Sequence, residues 1–537
     1  MSIVLYLSGN IYTMDAVKPR AQAMAVDRES GRIIAIGTND VVRRVGGPQT
    51  ELVDLHGRTV LPGFIDAHIH LLSTAYRAHH IDAGASTSED AAVELVRQRV
   101  ALTPPGHWVV GGQWDKNLWP GGRFPAKSSL DAAAPDHPVA LWSKDGHVLW
   151  VNSLALQRAN ITADTPQPAT GEIVRDGTGE PTGILLEADA TKLVYKAIQE
   201  ADPAQDLAML ERILPELHRC GITSIHDIEG AKSLHLFQQL RNAKRLNMRV
   251  QMLLPRQQLR RWREQEITND DDDLLRIGGV KIFADGTLGS QTAAMLESFE
   301  GNPNNYGILA TPEAEIQDAV SDATEMGLVI AIHAIGDRAA RVSLNAIERA
   351  QQLLAEEGTP SDPRQGLRYR LEHVQLIAPE DLERMRRLGV IASIQPYHAV
   401  VDRDIAERYW GERHRRAYAY HTMRTMGIPL ALGSDAPVEL FDPLSILYAA
   451  TTRRVPGVQR PPWLPEQALT TADAVWGYTL GAAYAGAEEH RKGSLSLGKL
   501  GDAIVLREDI FSAPPEKIIE NGVQATMLGG SIVYGDV

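Results

Sequence analysis

His68, His70, Lys281, His333, His373 and Asp435 combine side chains that hold metal ions with positions at or near the ends of short apolar runs. His68 and His70 close the run FIDAHIH (64–70). Residues i and i+2 of a strand share a face, so both imidazoles point into one space. His333 lies in LVIAIHA (328–334), His373 in RYRLEHV (368–374), Lys281 with Asp285 in GVKIFAD (279–285), and Asp435 ends PLALGSD (429–435). A lone histidine at a strand end is ordinarily a hydrogen-bonded structural residue. Several of them in register, together with an aspartate and a lysine, favour a metal site. Neutral imidazoles and carboxylates suit zinc or a similar cation, and an open coordination position makes such a site catalytic. Lys281 is the odd member, because an ammonium beside cations is strongly disfavoured. Either it points away as a structural lysine, or CO2 converts its amine to a carbamate, an anion able to bridge two metals.

These residues need a scaffold that brings many strand ends together. Three further runs, ITSIHDI (222–228), RVQMLL (249–254) and VIASIQP (390–396), complete a set of eight. Helical patterns fill the gaps, among them EAEIQDAVSDATEMG and PEDLERMRRLG, each closing on a glycine as a helix C-cap does. Eight strands alternating with helices predict an α/β fold, a (β/α)8 TIM-like barrel over 63–75 and 206–485, whose active site lies where the C-terminal strand ends converge. Short alternating strands at both chain ends predict a composite β-sandwich from 1–62 and 486–537. The interval after the first barrel strand is too long for one crossover. Its strand-like runs WVVGGQWD, HPVALWSKDG and GEIVRDGTGEPTGILLE predict an inserted, substrate-covering subdomain over 76–205.

Composition narrows the function classes. The chain of 537 residues carries a formal charge of −14, with acids and bases interspersed, which argues against a nucleic-acid surface built of clustered cations. The acidic run Asp270–Asp273 reads as a solvated loop. A single cysteine, Cys220, excludes a disulfide framework and a cysteine-rich metal site. The opening MSIVLYLSGNIYTMDAVKP alternates like a strand and lacks a basic leader, and no apolar run of about 18 residues occurs. The expectation is a cytoplasmic protein acting on a small molecule, without nucleic-acid or membrane partners, with a homodimer as the assembly considered. There is no GxxxxGK[ST] phosphate loop and no GxSxG nucleophile elbow.

The set PGFIDAHIH, VKIFADG, IHAIGD, LEHVQ and GSDAP, with GNIYTMD, SKDGHVLWVNSLAL and KGSLSLGKLGDAIVL, resembles the amidohydrolase superfamily nearly end to end. The branch it resembles most is family 3, which includes N-substituted formamide deformylases. The resemblance implies two divalent cations, zinc for preference. His68 and His70 would hold the more buried one, a carbamate on Lys281 would bridge, and His333 and His373 would hold the second. Asp435 would be both ligand and general base. The implied reaction is hydrolysis of an amide-type C–N bond by metal-activated hydroxide. An ester or lactone hydrolase on the same site is the alternative, and a non-catalytic scaffold the remote one.

Further candidates surround this set. His147 in SKDGH is a candidate to cap the substrate or donate to the oxyanion, beside a plain structural role. Asp285 and Asp337 are candidates to orient ligands or contact substrate. His226, at the end of the second run, is a candidate for substrate contact. Trp108, Trp114, Trp119, Trp142 and Trp150 cluster in the insertion, where most read as core. Trp114 is the one singled out as a pocket wall.

Overall fold

The structure is a computed structural model that describes residues 2–144, 148–168, 171–199, 203–259, 272–356 and 367–537. Eight parallel strands form one sheet: β1 (Phe64–Ile69), β2 (Ile222–Asp227), β3 (Arg249–Pro255), β4 (Leu275–Phe283), β5 (Val329–Ala334), β6 (Tyr369–His373), β7 (Ile391–Ile394) and β8 (Leu430–Leu432). They pair in strict chain order from β1 to β8. Each corresponds to one of the eight apolar runs. Every residue of β1, β2, β5 and β6 is buried, as expected of parallel strands covered on both faces.

The ends of this sheet meet beyond β8. The Asp435 amide donates to the His68 carbonyl at 2.7 Å, and the His70 amide to the Ala436 carbonyl at 2.9 Å. Gly433 makes that approach possible, since a Cβ there would lie 2.5 Å from the His68 nitrogen. The result is a (β/α)8 barrel. Its helices stop where the glycines predict: Glu313–Glu325 runs into Gly327 and Pro379–Leu388 into Gly389, both glycines in the left-handed region.

Both chain ends build one β-sandwich. Thr59–Pro62 pairs antiparallel with Ala503–Leu506, so N- and C-terminal strands share a six-stranded sheet. A four-stranded sheet from Ile3–Leu7, Ala23–Asp27, Arg32–Gly37 and Glu51–Asp54 packs against it through Tyr6, Met24, Val26, Val505 and Met527. Within this same compact unit, Arg249 of β3 holds Asp502 in a buried pair, Nε to Oδ2 at 2.5 Å.

The chain divides into two compact units, one of residues 1–71 with 214–537, the other Leu72–Ile213. The second unit is the insertion after β1. It has its own six-stranded sheet, in which Val109–Trp114 pairs with Val139–Ser143, and its own core around Trp114, Trp119 and Trp150. Among the described residues no helix is long and apolar enough to cross a membrane.

Candidate metal centre

His68, His70, Lys281, His333, His373 and Asp435 come together at the C-terminal end of the barrel. Asp435 is the hub. Its Oδ1 lies 3.3 Å from His68 Nε2 and 3.4 Å from His70 Nε2. The rings of His68 and His373 are 4.9 Å apart, and those of His373 and His333 4.5 Å. All but His70 are more than nine-tenths buried.

The backbone is bent to make this possible. His373 has φ 75° and Asp435 φ 60°, both in the left-handed region that non-glycine residues avoid. Such a residue costs about 1–3 kcal/mol, and such costs gather at functional sites. In a regular strand Glu372 and His373 would face opposite ways. Here both reach His68: the Glu372 carboxylate accepts from its Nδ1 at 2.5 Å, while the His373 ring packs on it.

The electrostatics favour neutral imidazoles at His333 and His373 and an ionised Asp435. Burial, aided by neighbouring Lys281, pushes His333 down to about 3. Burial and then His333 hold His373 well below the usual histidine value. Burial pushes the Asp435 carboxyl up, but the surrounding imidazoles, His68 first and then His398 and His70, outweigh it and hold it well below the usual range. Burial lowers the Lys281 amine to about 8, against the opposing pull of Glu372 and Asp435.

The donor set fits metal ions. His333 gives its Nε2 proton to the Gly286 carbonyl at 2.9 Å and keeps a lone pair on Nδ1; a neutral His68 with its proton on Nδ1, against Glu372, would likewise offer Nε2 to a metal. Lys281 Nζ and His373 Nδ1 are buried polar atoms without a hydrogen-bond partner, and such atoms are costly unless something else satisfies them. Two triads have ligand atoms within 4.8 Å of one another: His68 with His70 and Asp435, and His373 with His398 and Asp435.

His398 escapes the sequence reading, as do Glu372, Arg370 and Asp66. His398 sits in the short helix Pro396–Val401 after β7, and its Nε2 donates to Asp435 Oδ2 at 3.1 Å. Its alternation with no other histidine gave no signal. Arg370 and Glu372 stand at i and i+2 in RYRLEHV, and that spacing was the available clue. Asp66, two before His68, accepts from the His68 and Ser434 amides at 3.1 and 3.0 Å, and burial raises it to about 7.

Of the remaining candidates, Asp285 borders His333. Asp285 accepts from the Ala294, Ile335 and Gly336 amides at 2.8–3.1 Å, which ties the β4 and β5 loops together. Its Oδ1 is 3.5 Å from His333 Nε2. Asp337 accepts from the Leu296 amide at 2.8 Å and pairs with Arg416. Both aspartates hold loops rather than open surface. His226 is fully buried inside the barrel, where its Nδ1 accepts from Arg370 at 2.9 Å, so it offers a substrate no exposed face. Trp114 is 1% exposed, donates to the Leu141 carbonyl at 2.8 Å and packs edge-on to Trp150, and it also lines a cavity in the insertion with Phe124 and Val148. His147 falls outside the described residues.

Comparison with known proteins agrees with this geometry. Residues 51–534 match the family model described as the amidohydrolase family. The chain is 32% identical to Protein LONG AFTER FAR-RED 3 of Arabidopsis thaliana, covering 99% of this chain and 91% of that one. It is 29% identical to N-substituted formamide deformylase of Arthrobacter pascens, covering 99% and 98%. An uncharacterized metal-dependent hydrolase from Pyrococcus furiosus superposes with a TM-score of 0.80 at 28% identity, covering 95% of this chain and all of the other. With the barrel, the histidine pair on β1 and the aspartate after β8 already in place, the match over nearly the whole length makes this chain a member of the amidohydrolase family.

Proposed function

We propose that this protein is a metal-dependent hydrolase that cleaves an amide-type C–N bond of a small molecule, an N-acyl or N-formyl amine or a cyclic amide. The observation that carries the reading is the convergence of His68, His70 and His398 on the single buried carboxylate of Asp435. The ligands would be His68, His70, His333, His373, Asp435 and Lys281, the last as a carbamate bridging two zinc ions. When bound, divalent cations supply Lewis acidity and lower the pKa of water.

The protein's own groups then do the proton work. Asp435, ionised although buried, accepts a proton from the attacking water. The water oxygen bonds to the carbonyl carbon, the C–N bond breaks, and Asp435 returns the proton to the departing nitrogen. The products are a carboxylic acid and an amine. Phe283, 44% exposed at the end of β4 with its ring 5.5 Å from that of His333, gives the site an apolar flank. The name of the Arthrobacter relative, a deformylase of N-substituted formamides, supports an amide substrate.

The test is a panel of N-formyl amines, N-acyl amines and cyclic amides beside matched esters and lactones, read as release of free amine or alcohol. Amine release from at least one amide class, at a kcat/KM above that of its matched ester, is the expected result. Cleavage confined to esters and lactones would transfer the activity to oxygen leaving groups and overturn the amide reading.

A further inference from the structure

The barrel interior beneath the site holds an ion pair that the reaction described above does not use. Arg370 and Glu372, two apart on β6, are both fully buried. Arg370 donates from Nε to Glu372 Oε1 at 2.5 Å and from Nη2 to Oε2 at 3.2 Å. It also donates to the Ala67 carbonyl on β1 at 2.5 Å, to Ser393 Oγ on β7 at 2.9 Å, and to His226 Nδ1 on β2 at 2.9 Å. One guanidinium thus joins four strands. Two of its contacts bear on His68: it grips the carbonyl of the residue just before, and it holds both oxygens of the carboxylate that meets the His68 ring.

We propose that Glu372 is the positioning residue for His68 and that Arg370 is its clamp. The pair fixes the proton of His68 on Nδ1 and turns Nε2 toward the metal. The inference rests on the metal-centre reading given above. Orienting partners of this kind hold a ligand's ring and tautomer in place. With both Glu372 oxygens engaged by Arg370 and one also by His68, the carboxylate is held from swinging onto the metal itself.

Stability alone explains the pair poorly. Taking two charges out of water offsets most of what their attraction returns, so the Arg370–Glu372 attraction by itself adds little to a barrel core, and what Arg370 contributes to stability lies in its bonds to Ala67, Ser393 and His226. Apolar side chains cannot orient an imidazole. The two roles therefore separate in a variant that removes both charges at once.

That variant is Arg370→Met/Glu372→Leu, compared with Arg370→Met/Glu372→Gln, which returns an acceptor to His68 Nδ1. For each full-length protein the melting temperature is measured without metal, and zinc affinity by competition with a chelating dye. The expected result is a zinc-free melting temperature lowered to a similar extent in both, because both lose the Arg370 bonds to Ala67, Ser393 and His226, with the tighter zinc site weakened about 10- to 100-fold in the leucine variant and partly restored in the glutamine variant. Should the leucine variant fail to fold, Glu372→Gln alone carries the readout, because one amide oxygen cannot serve both Arg370 and His68. Its zinc affinity is expected to fall. Wild-type zinc affinity in any variant lacking the Glu372 carboxylate would overturn the positioning role and leave the metal centre standing. A wild-type protein that binds no zinc-like cation would overturn both.

Discussion

His398 Nε2 lies 3.1 Å from Oδ2 of Asp435, on the opposite oxygen from the one that His68 and His70 face. Burial pushes the His398 pKa down, but the Asp435 carboxylate outweighs burial and leaves it raised. One oxygen of the proposed base is thus directed to the β1 histidines and the other is held by a residue outside the barrel strands. His398→Ala frees that oxygen. A fall in kcat of about 10- to 100-fold is predicted, with the fold unchanged by circular dichroism. Wild-type kcat in this variant would remove His398 from the site.

Asp435→Asn tests the base itself. An amide keeps the shape and one oxygen, but it does not accept the water's proton. The loss expected in kcat is about a hundred- to ten-thousandfold, with most of the metal retained. Steady-state kinetics beside elemental analysis make the check. A variant that keeps both its metal and its kcat would assign the base elsewhere.

Lys281 carries a separate prediction. Its Nζ is buried without a hydrogen-bond partner, and burial brings its pKa down to about 8. The lowered value raises the fraction of neutral amine near neutral pH, which is the form that takes up CO2. Lys281→Ala is expected to lose one of two bound metals and most activity, with acetate or propionate restoring part of both. Density showing an unmodified ammonium away from every metal in an active, fully loaded enzyme would end the carbamate assignment.

Cys220 has no part in the proposed chemistry, and its thiol should be inert. It is buried, and burial pushes it from the ordinary 9.0 to about 12. The unfolded chain therefore loses this proton near pH 9 while the folded chain keeps it. The thiol's contribution to stability is full below pH 9 and declines as pH rises from 9 toward 12. Iodoacetamide at pH 8 is predicted to leave the native thiol unmodified and to label it in urea. Native labelling at the rate of free cysteine would contradict the burial.

All eight barrel strands were legible because each is a short apolar run bounded by turn residues, and the strand-end rule placed the six candidate ligands on one face. That rule says nothing about depth or backbone twist. It put His226 beside the site, although His226 precedes the last residue of β2 and faces Arg370 inside the barrel. It passed over Glu372, since alternation assigns neighbours to opposite faces and only the left-handed His373 lets both reach His68. His398 was silent because its helix carries no second ligand in register. Trp114 does both things the tryptophan cluster suggests: it packs on Trp119 and Trp150, and it lines a cavity with Phe124 and Val148.

The central claim is that His68, His70, His333, His373, Lys281 and Asp435 hold catalytic metal. Elemental analysis of the purified protein, with amide hydrolysis assayed before chelation, after it and after zinc is returned, tests this most directly. About two zinc-like ions per chain are predicted, with activity lost on chelation and recovered with zinc. No tightly bound metal, together with hydrolysis unaffected by the chelator, would contradict the account.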